Sequence, residues 1–70
     1  MISERLERLV EDMVAQGVQF EDAVREFEKR FIRRVLSGCN GSLTKASSTL
    51  GIHRNTLTRK IAAYKIKARG

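Results

Sequence analysis

Between Leu6 and Val14 the apolar residues Leu6, Leu9, Val10, Met13 and Val14 recur at i, i+3, i+4, i+7 and i+8. That spacing puts them on one side of an α-helix but on both sides of a β-strand, so it decides how the chain begins. The helical period returns further on, and no proline interrupts it, so the whole chain reads as all-α with four helices. The first helix is predicted from Ser3 to about Gln16, with Ser3 as its cap, Glu4 in the first turn and Gly17 as a left-handed terminator. The second is predicted from Gln19 or Phe20 to Leu36 or Ser37, with Phe20, Ala23, Val24, Phe27, Phe31 and Val35 turned inward. Glu21 and Asp22 open this helix and Arg33 and Arg34 close it, as the helix dipole favours, and Glu21–Arg25 and Glu26–Arg30 are expected ion pairs.

Three aromatic rings on the second stripe carry more apolar area than one short neighbouring helix covers. A chain of 70 residues is also marginal on its own, burying only about 60% of its unfolded surface. A second copy is the expected cover for Phe20, Val24, Phe27 and Phe31, the alternative being that the phenylalanines pack entirely within one chain against the first, third and fourth helices. Cys39, the only cysteine, cannot form a disulfide within the chain and has no base in sequence reach, so it reads as an inert thiol. No segment approaches the roughly 18 apolar residues of a membrane span or forms an apolar leader, and these features together point to a soluble protein of a reducing compartment.

Charge is sharply divided. All eight Asp and Glu lie in the first 28 residues against Arg5, Arg8 and Arg25, whereas Lys29 to Gly70 holds every other Lys and Arg and no acid. A surface so one-signed is suited to a polyanion.

In that basic part, Ser37 to Gly41 reads as a loop, and a short third helix follows from Leu43 or Thr44 to Leu50, with Ser42 as its cap. A fourth runs from His53 or Arg54 to Tyr64 or beyond, with Leu57, Ile61 and Tyr64 inward. Ala46 and Ser47 are small enough for a steep helix crossing, Gly51 can redirect the chain, and Leu43, Leu50, Ile52, Leu57 and Ile61 supply the apolar wedge. Arg54, Asn55, Thr58, Arg59 and Lys65 leave the fourth helix on its outer side, the arrangement of a helix-turn-helix facing DNA.

Other chemistries find little support. His53 has no second histidine or paired cysteine at ligand spacing, so a capping or DNA-facing role is expected and no metal or other cofactor. Phosphate-cradling glycine patterns are absent, and the carboxylates are interleaved with arginines as on a solvated face, so neither an enzyme nor a small-molecule substrate is indicated.

The stretch GSLTKASSTLGIHRNTLTRKI resembles the C-terminal helix-turn-helix of the Fis family, found in the factor for inversion stimulation and at the DNA-binding ends of nitrogen-regulation type activators. The pattern is dense over Gly41 to Tyr64, with Leu50, Gly51, Ile52, Arg54, Thr56, Leu57, Arg59 and Lys60 at its core, and it extends loosely through FEKRFIRRVL. The resemblance implies a homodimer in which the first two helices of each chain intertwine into a four-helix core, with Leu9, Met13, Phe20, Val24, Phe27 and Phe31 at the interface. Residues 1–38 would form the dimerising part and residues 39–70 the helix-turn-helix with a basic tail of Lys65, Lys67 and Arg69, in one compact domain.

On the same resemblance Arg54 would reach a guanine edge beside Asn55, and Thr56, Arg59 and Lys60 would hold backbone phosphates. Ser42, Thr44 and Lys45 would hold the flanking phosphates. His53 stands where the best-known member has a base-facing asparagine, and the chain starts at its first helix, without that member's N-terminal β-hairpin. The function implied is a double-stranded DNA-binding transcriptional regulator or architectural protein of the bacterial cytoplasm and nucleoid. Two alternatives stay open: a protein-interaction module for an acidic partner, and the detached DNA-binding end of a larger activator.

Overall fold

The computed structural model describes residues 2–67, and Arg69 of the basic tail lies outside them. Among the described residues there are four α-helices and no strand: α1 (Ile2–Ala15), α2 (Phe20–Gly38), α3 (Leu43–Leu50) and α4 (Arg54–Tyr64). Two boundaries differ from the sequence expectation. α1 already includes Ile2, so Ser3 lies within its first turn and cannot cap it. α2 continues to Gly38, which moves Arg33 and Arg34 out of its last turn and shortens the following loop.

All four helices end in the same way. Within two residues of each helix terminus the chain adopts positive φ, at Gly17 (77°) and Asn40 (53°) after α1 and α2 and at Gly51 (73°) and Lys65 (54°) directly after α3 and α4. The next amide then reaches back five residues, Val18 to Met13, Gly41 to Leu36, Ile52 to Ser47 and Ile66 to Ile61, at 2.9–3.2 Å. This closes the orphan carbonyls of the last turn, and it tucks Ile52 and Ile66 beneath α3 and α4. Gly51 matters most of these, because its left-handed turn is the sharp bend of the helix-turn-helix.

The core is small and sits between α2, α3 and α4. Ile32, Leu36, Ala46, Leu57 and Ile66 are its buried members, with Val35, Cys39, Leu43, Leu50, Ile52, Ile61 and Tyr64 packed around them. Ala46 and Leu57 are fully enclosed and Leu36 is 1% exposed, so α3 crosses α2 and α4 at its smallest apolar side chain.

The inward side of α2 therefore corrects the sequence reading. Ile32 and Leu36 face the helix-turn-helix, while Phe20, Phe27 and Phe31 remain 82%, 53% and 50% exposed within the chain. α2 is apolar on two sides, and α3 and α4 cover only one. The other side, with Leu6, Leu9, Val10 and Met13 of α1 facing Val24, Phe27 and Phe31 of α2, lines an open groove of about 770 Å³. Phe27 and Phe31 pack in it as a tilted pair with ring centroids 5.5 Å apart. α1 contributes no buried residue at all.

The expected Glu21–Arg25 pair is also replaced: Arg25 reaches Asp22, one residue nearer, at 3.1 Å, while Arg30–Glu26 forms at 3.6 Å. Both pairs are exposed and contribute little.

Leu36→Ala should destabilise the fold by about 2–5 kcal/mol, since it empties a site with no room to collapse. Urea denaturation followed by circular dichroism at fixed protein concentration measures this.

Candidate nucleic-acid interface

Two helix N-termini, of α3 and α4, carry most of the residues expected to meet DNA, and Arg59 and Lys60 lie further along α4. At α3 the Ser42 hydroxyl accepts from the Lys45 amide at 3.3 Å, as its N-cap position requires. Thr44 and Lys45 stand exposed on the first turn, beside a polar hollow lined also by Cys39, Asn40, Ser48 and Thr49. Orphan amides and a lysine at one helix start favour an anion.

At α4 the cap is His53. Its Nδ1 accepts the Asn55 amide at 3.0 Å, a bond that requires this nitrogen without its proton and leaves Nε2 for an outside partner. Capping and a DNA-facing position are thus compatible in one residue. Arg54, Asn55, Thr58 and Arg59 are exposed along one side of α4. The Thr58 hydroxyl donates to the Arg54 carbonyl at 3.0 Å. Thr56 is half-buried, and its hydroxyl accepts a long 3.5 Å hydrogen bond from the Arg59 guanidinium.

Lys60 differs from the other cations expected at the interface. At about 100° per residue it falls on the side of α4 that carries Leu57 and Tyr64, away from Arg54 and Asn55. There its Nζ donates to Glu28 Oε1 of α2 at 2.7 Å, and the Tyr64 hydroxyl donates to the same oxygen at 2.8 Å. The sequence reading placed every carboxylate on a solvated face, and Glu28 is the exception. Its signal was present: Val24, Glu28, Phe31, Ile32 and Val35 share one helical period, and Lys60 and Tyr64 stand at i, i+4.

The hydrogen bond from Lys60, then that from Tyr64, holds the Glu28 carboxyl below the usual carboxylate range, against an opposing effect of burial. The same carboxylate raises Lys60 and raises Tyr64. Among the described residues no group of three or more His, Cys, Asp or Glu could hold a metal ion, and no helix is long and apolar enough to cross a membrane.

An acid-free pair of helices, crossed at a small residue, turned by a left-handed glycine and exposing arginines from the first turn of the second helix, is a DNA-binding helix-turn-helix. The sequence pattern described as "Bacterial regulatory protein, Fis family" matches residues 23–64, from the first turn of α2 to the end of α4. The chain belongs to the Fis family. It is 45% identical over 47 residues, 67% of its length, to a signal-transduction and transcriptional-control protein of Clostridium beijerinckii, of which the match covers 7%. It is 42% identical over 41 residues, 59% of its length, to a protein of Xylella fastidiosa described as Fis-like and DNA-binding, of which the match covers 46%. The chain thus spans less than half the length of either relative. No solved structure gives a significant match.

The pKa directions set the pH dependence of this Fis-family unit. Glu28, lowered in the folded state, adds stability that is complete above its unfolded pKa and lost as pH falls through the folded value. Lys60 and Tyr64, both raised, add stability below their unfolded values that is lost as pH rises through the folded ones. Melting temperature should therefore drop on acidification through the carboxylate range, and Glu28→Gln should lose less over that range. Thermal melts in a series of acid buffers check it.

Proposed function

We propose that the chain is the DNA-binding part of a homodimeric bacterial transcriptional regulator or nucleoid-associated architectural protein, acting on double-stranded DNA in the cytoplasm. The observation that carries this reading is the exposed run Arg54, Asn55, Thr58 and Arg59 on the helix that His53 caps. Arg54, on the first turn, offers a planar fork to guanine O6 and N7, with Asn55 and His53 beside it at the bases. Arg59 and Thr56 hold phosphates on one flank, and Ser42, Thr44 and Lys45 hold those reached by α3. Basic groups at two helix starts hold the register, and base edges supply the choice of sequence.

The homodimer reading is supported by the uncovered apolar side of α2. Five buried residues are a thin core, whereas the groove between α1 and α2 is lined by Leu6, Leu9, Val10, Met13, Val24, Phe27 and Phe31. Pairing with the same surface of a second copy would add Phe20, the most exposed of the three phenylalanines. In this reading residues 1–38 dimerise and residues 39–70 bind DNA.

A second reading is favoured by the length of the Clostridium relative, of which the matched stretch is only 7%. Here the chain is the DNA-binding unit of a larger regulator, and the contacts to DNA are the same.

Gel-shift titration tests the central claim. If both subunits together neutralise six to ten phosphates, log affinity falls against log salt with a slope of about −5 to −9. Arg54→Ala should weaken a selected duplex by about 1–3 kcal/mol and spare a random duplex. A flat salt response would instead indicate an acidic protein partner.

Assembly has its own measurement. The melting temperature should rise with protein concentration, and Phe27→Asp should give an unfolded or poorly ordered monomer. Light scattering that finds a folded wild-type monomer at working concentrations would remove the dimer.

A further inference from the structure

Glu28 is the last acidic residue of the chain and the only carboxylate among the described residues that contacts the helix-turn-helix. It is separated by 32 residues from Lys60 and by 36 from Tyr64, so its bonds are tertiary ones. Among the described residues the other two ion pairs lie within α2, with all their side chains about half exposed or more, whereas Glu28 and Lys60 are 31% and 35% exposed. We propose that Glu28 is a positioning residue for DNA recognition: it holds Lys60 and Tyr64 against α2, so that Lys60 anchors the recognition helix instead of a DNA phosphate.

This inference deepens the DNA-binding reading and rests on it. The apolar contacts of α4 with the core, through Leu57, Ile61 and Tyr64, set its distance from α2 but have little directional preference. Rotation of α4 about its own axis would keep much of that apolar burial while swinging Arg54 and Asn55 off the base edges. Hydrogen bonds do have direction. Two donors one helical turn apart on α4, converging on one oxygen of α2 at 2.7 and 2.8 Å, leave a single rotational setting that satisfies both.

The same geometry withdraws Lys60 from the DNA. A phosphate could take its ammonium only by separating it from a carboxylate already in contact and by bringing a second anion beside that carboxylate. In this arrangement the charge of Lys60 is cancelled locally, and the salt dependence of binding comes from other cations, Lys45 and Arg59 among them.

The experiment compares wild type, Lys60→Met, Glu28→Gln and Tyr64→Phe on one duplex selected from a random pool and one unselected duplex, across a salt series, with thermal melts of each protein. Lys60→Met should leave the salt slope unchanged and narrow the affinity ratio between the two duplexes severalfold. Glu28→Gln releases Lys60, so the unselected duplex should bind more tightly, with a slope steeper by about 0.9 per subunit, and the ratio should fall. Tyr64→Phe removes one hydroxyl and no charge, so it should narrow the ratio at constant slope, and it serves if either charge variant fails to fold.

A slope that becomes shallower by about 0.9 per subunit in Lys60→Met, with both duplexes weakened equally, makes Lys60 a phosphate ligand and overturns the proposal. It is equally overturned if the variants lower both affinities by one factor, at constant slope and in step with melting temperature, because the clamp would then serve stability alone. An unchanged ratio in a folded Tyr64→Phe also counts against it. Absence of salt-dependent duplex binding by the wild type is a separate result, which removes the DNA reading itself and the clamp's role with it.

Discussion

The closing of Leu36 and Leu57 around Ala46 is the contact on which the molecule depends. At that crossing the three helices approach closely because the side chain between them is a single methyl group, with no exposed surface remaining. A larger residue there would push α3 away from α2 and α4, and interiors packed to crystal density have little room to absorb it. Once the crossing is fixed, the left-handed turn at Gly51 has only one direction in which to send α4. The capped start of α4, and with it Arg54, then projects from a surface whose position was set by apolar packing several residues away.

Much of this was legible in the chain. The spacing of Leu57, Ile61 and Tyr64, the Ser42 cap and the turn at Gly51 all appear where their local chemistry put them, because each depends on neighbours within one or two helical turns. The division of labour on α2 was not. Phe27 and Phe31 dominate any hydrophobic stripe by size, yet the smaller Ile32 and Leu36 are the residues enclosed by α3 and α4. A helix with two apolar sides gives one periodic signal, and only the tertiary partners decide which side is used. Glu28 was missed for a related reason, since its partners lie 32 and 36 residues on. Lys65 in a left-handed conformation was equally hidden, because residues other than glycine adopt it only when the surroundings hold them there.

The two sides of α2 give the helix a second importance. It is 19 residues long, or about 28 Å at the usual rise, and it carries the uncovered aromatic side and the anchor of the helix-turn-helix on one rigid rod. In the proposed dimer the separation of the two recognition helices would follow from how the α2 rods pair. For symmetric binders that separation must approach one turn of the duplex, about 34 Å, or a multiple of it. A change at Phe31 or Val24 would then reach the DNA without touching it.

Seven of the eight carboxylates stand on α1 and the first part of α2, away from the acid-free α3 and α4, and the eighth, Glu28, is neutralised by Lys60. The chain is consequently an electric dipole as well as a cation. In the field of a duplex such a molecule experiences a torque as well as an attraction: the helix-turn-helix is turned inward and the α1 side outward before any atom makes contact. Encounters that arrive by the wrong side are repelled within roughly a Debye length of the phosphates instead of having to dissociate from a mistaken complex. In the proposed DNA-binding role the acidic first helix, which contributes nothing to the enclosed core, would thereby take part in choosing the direction of approach.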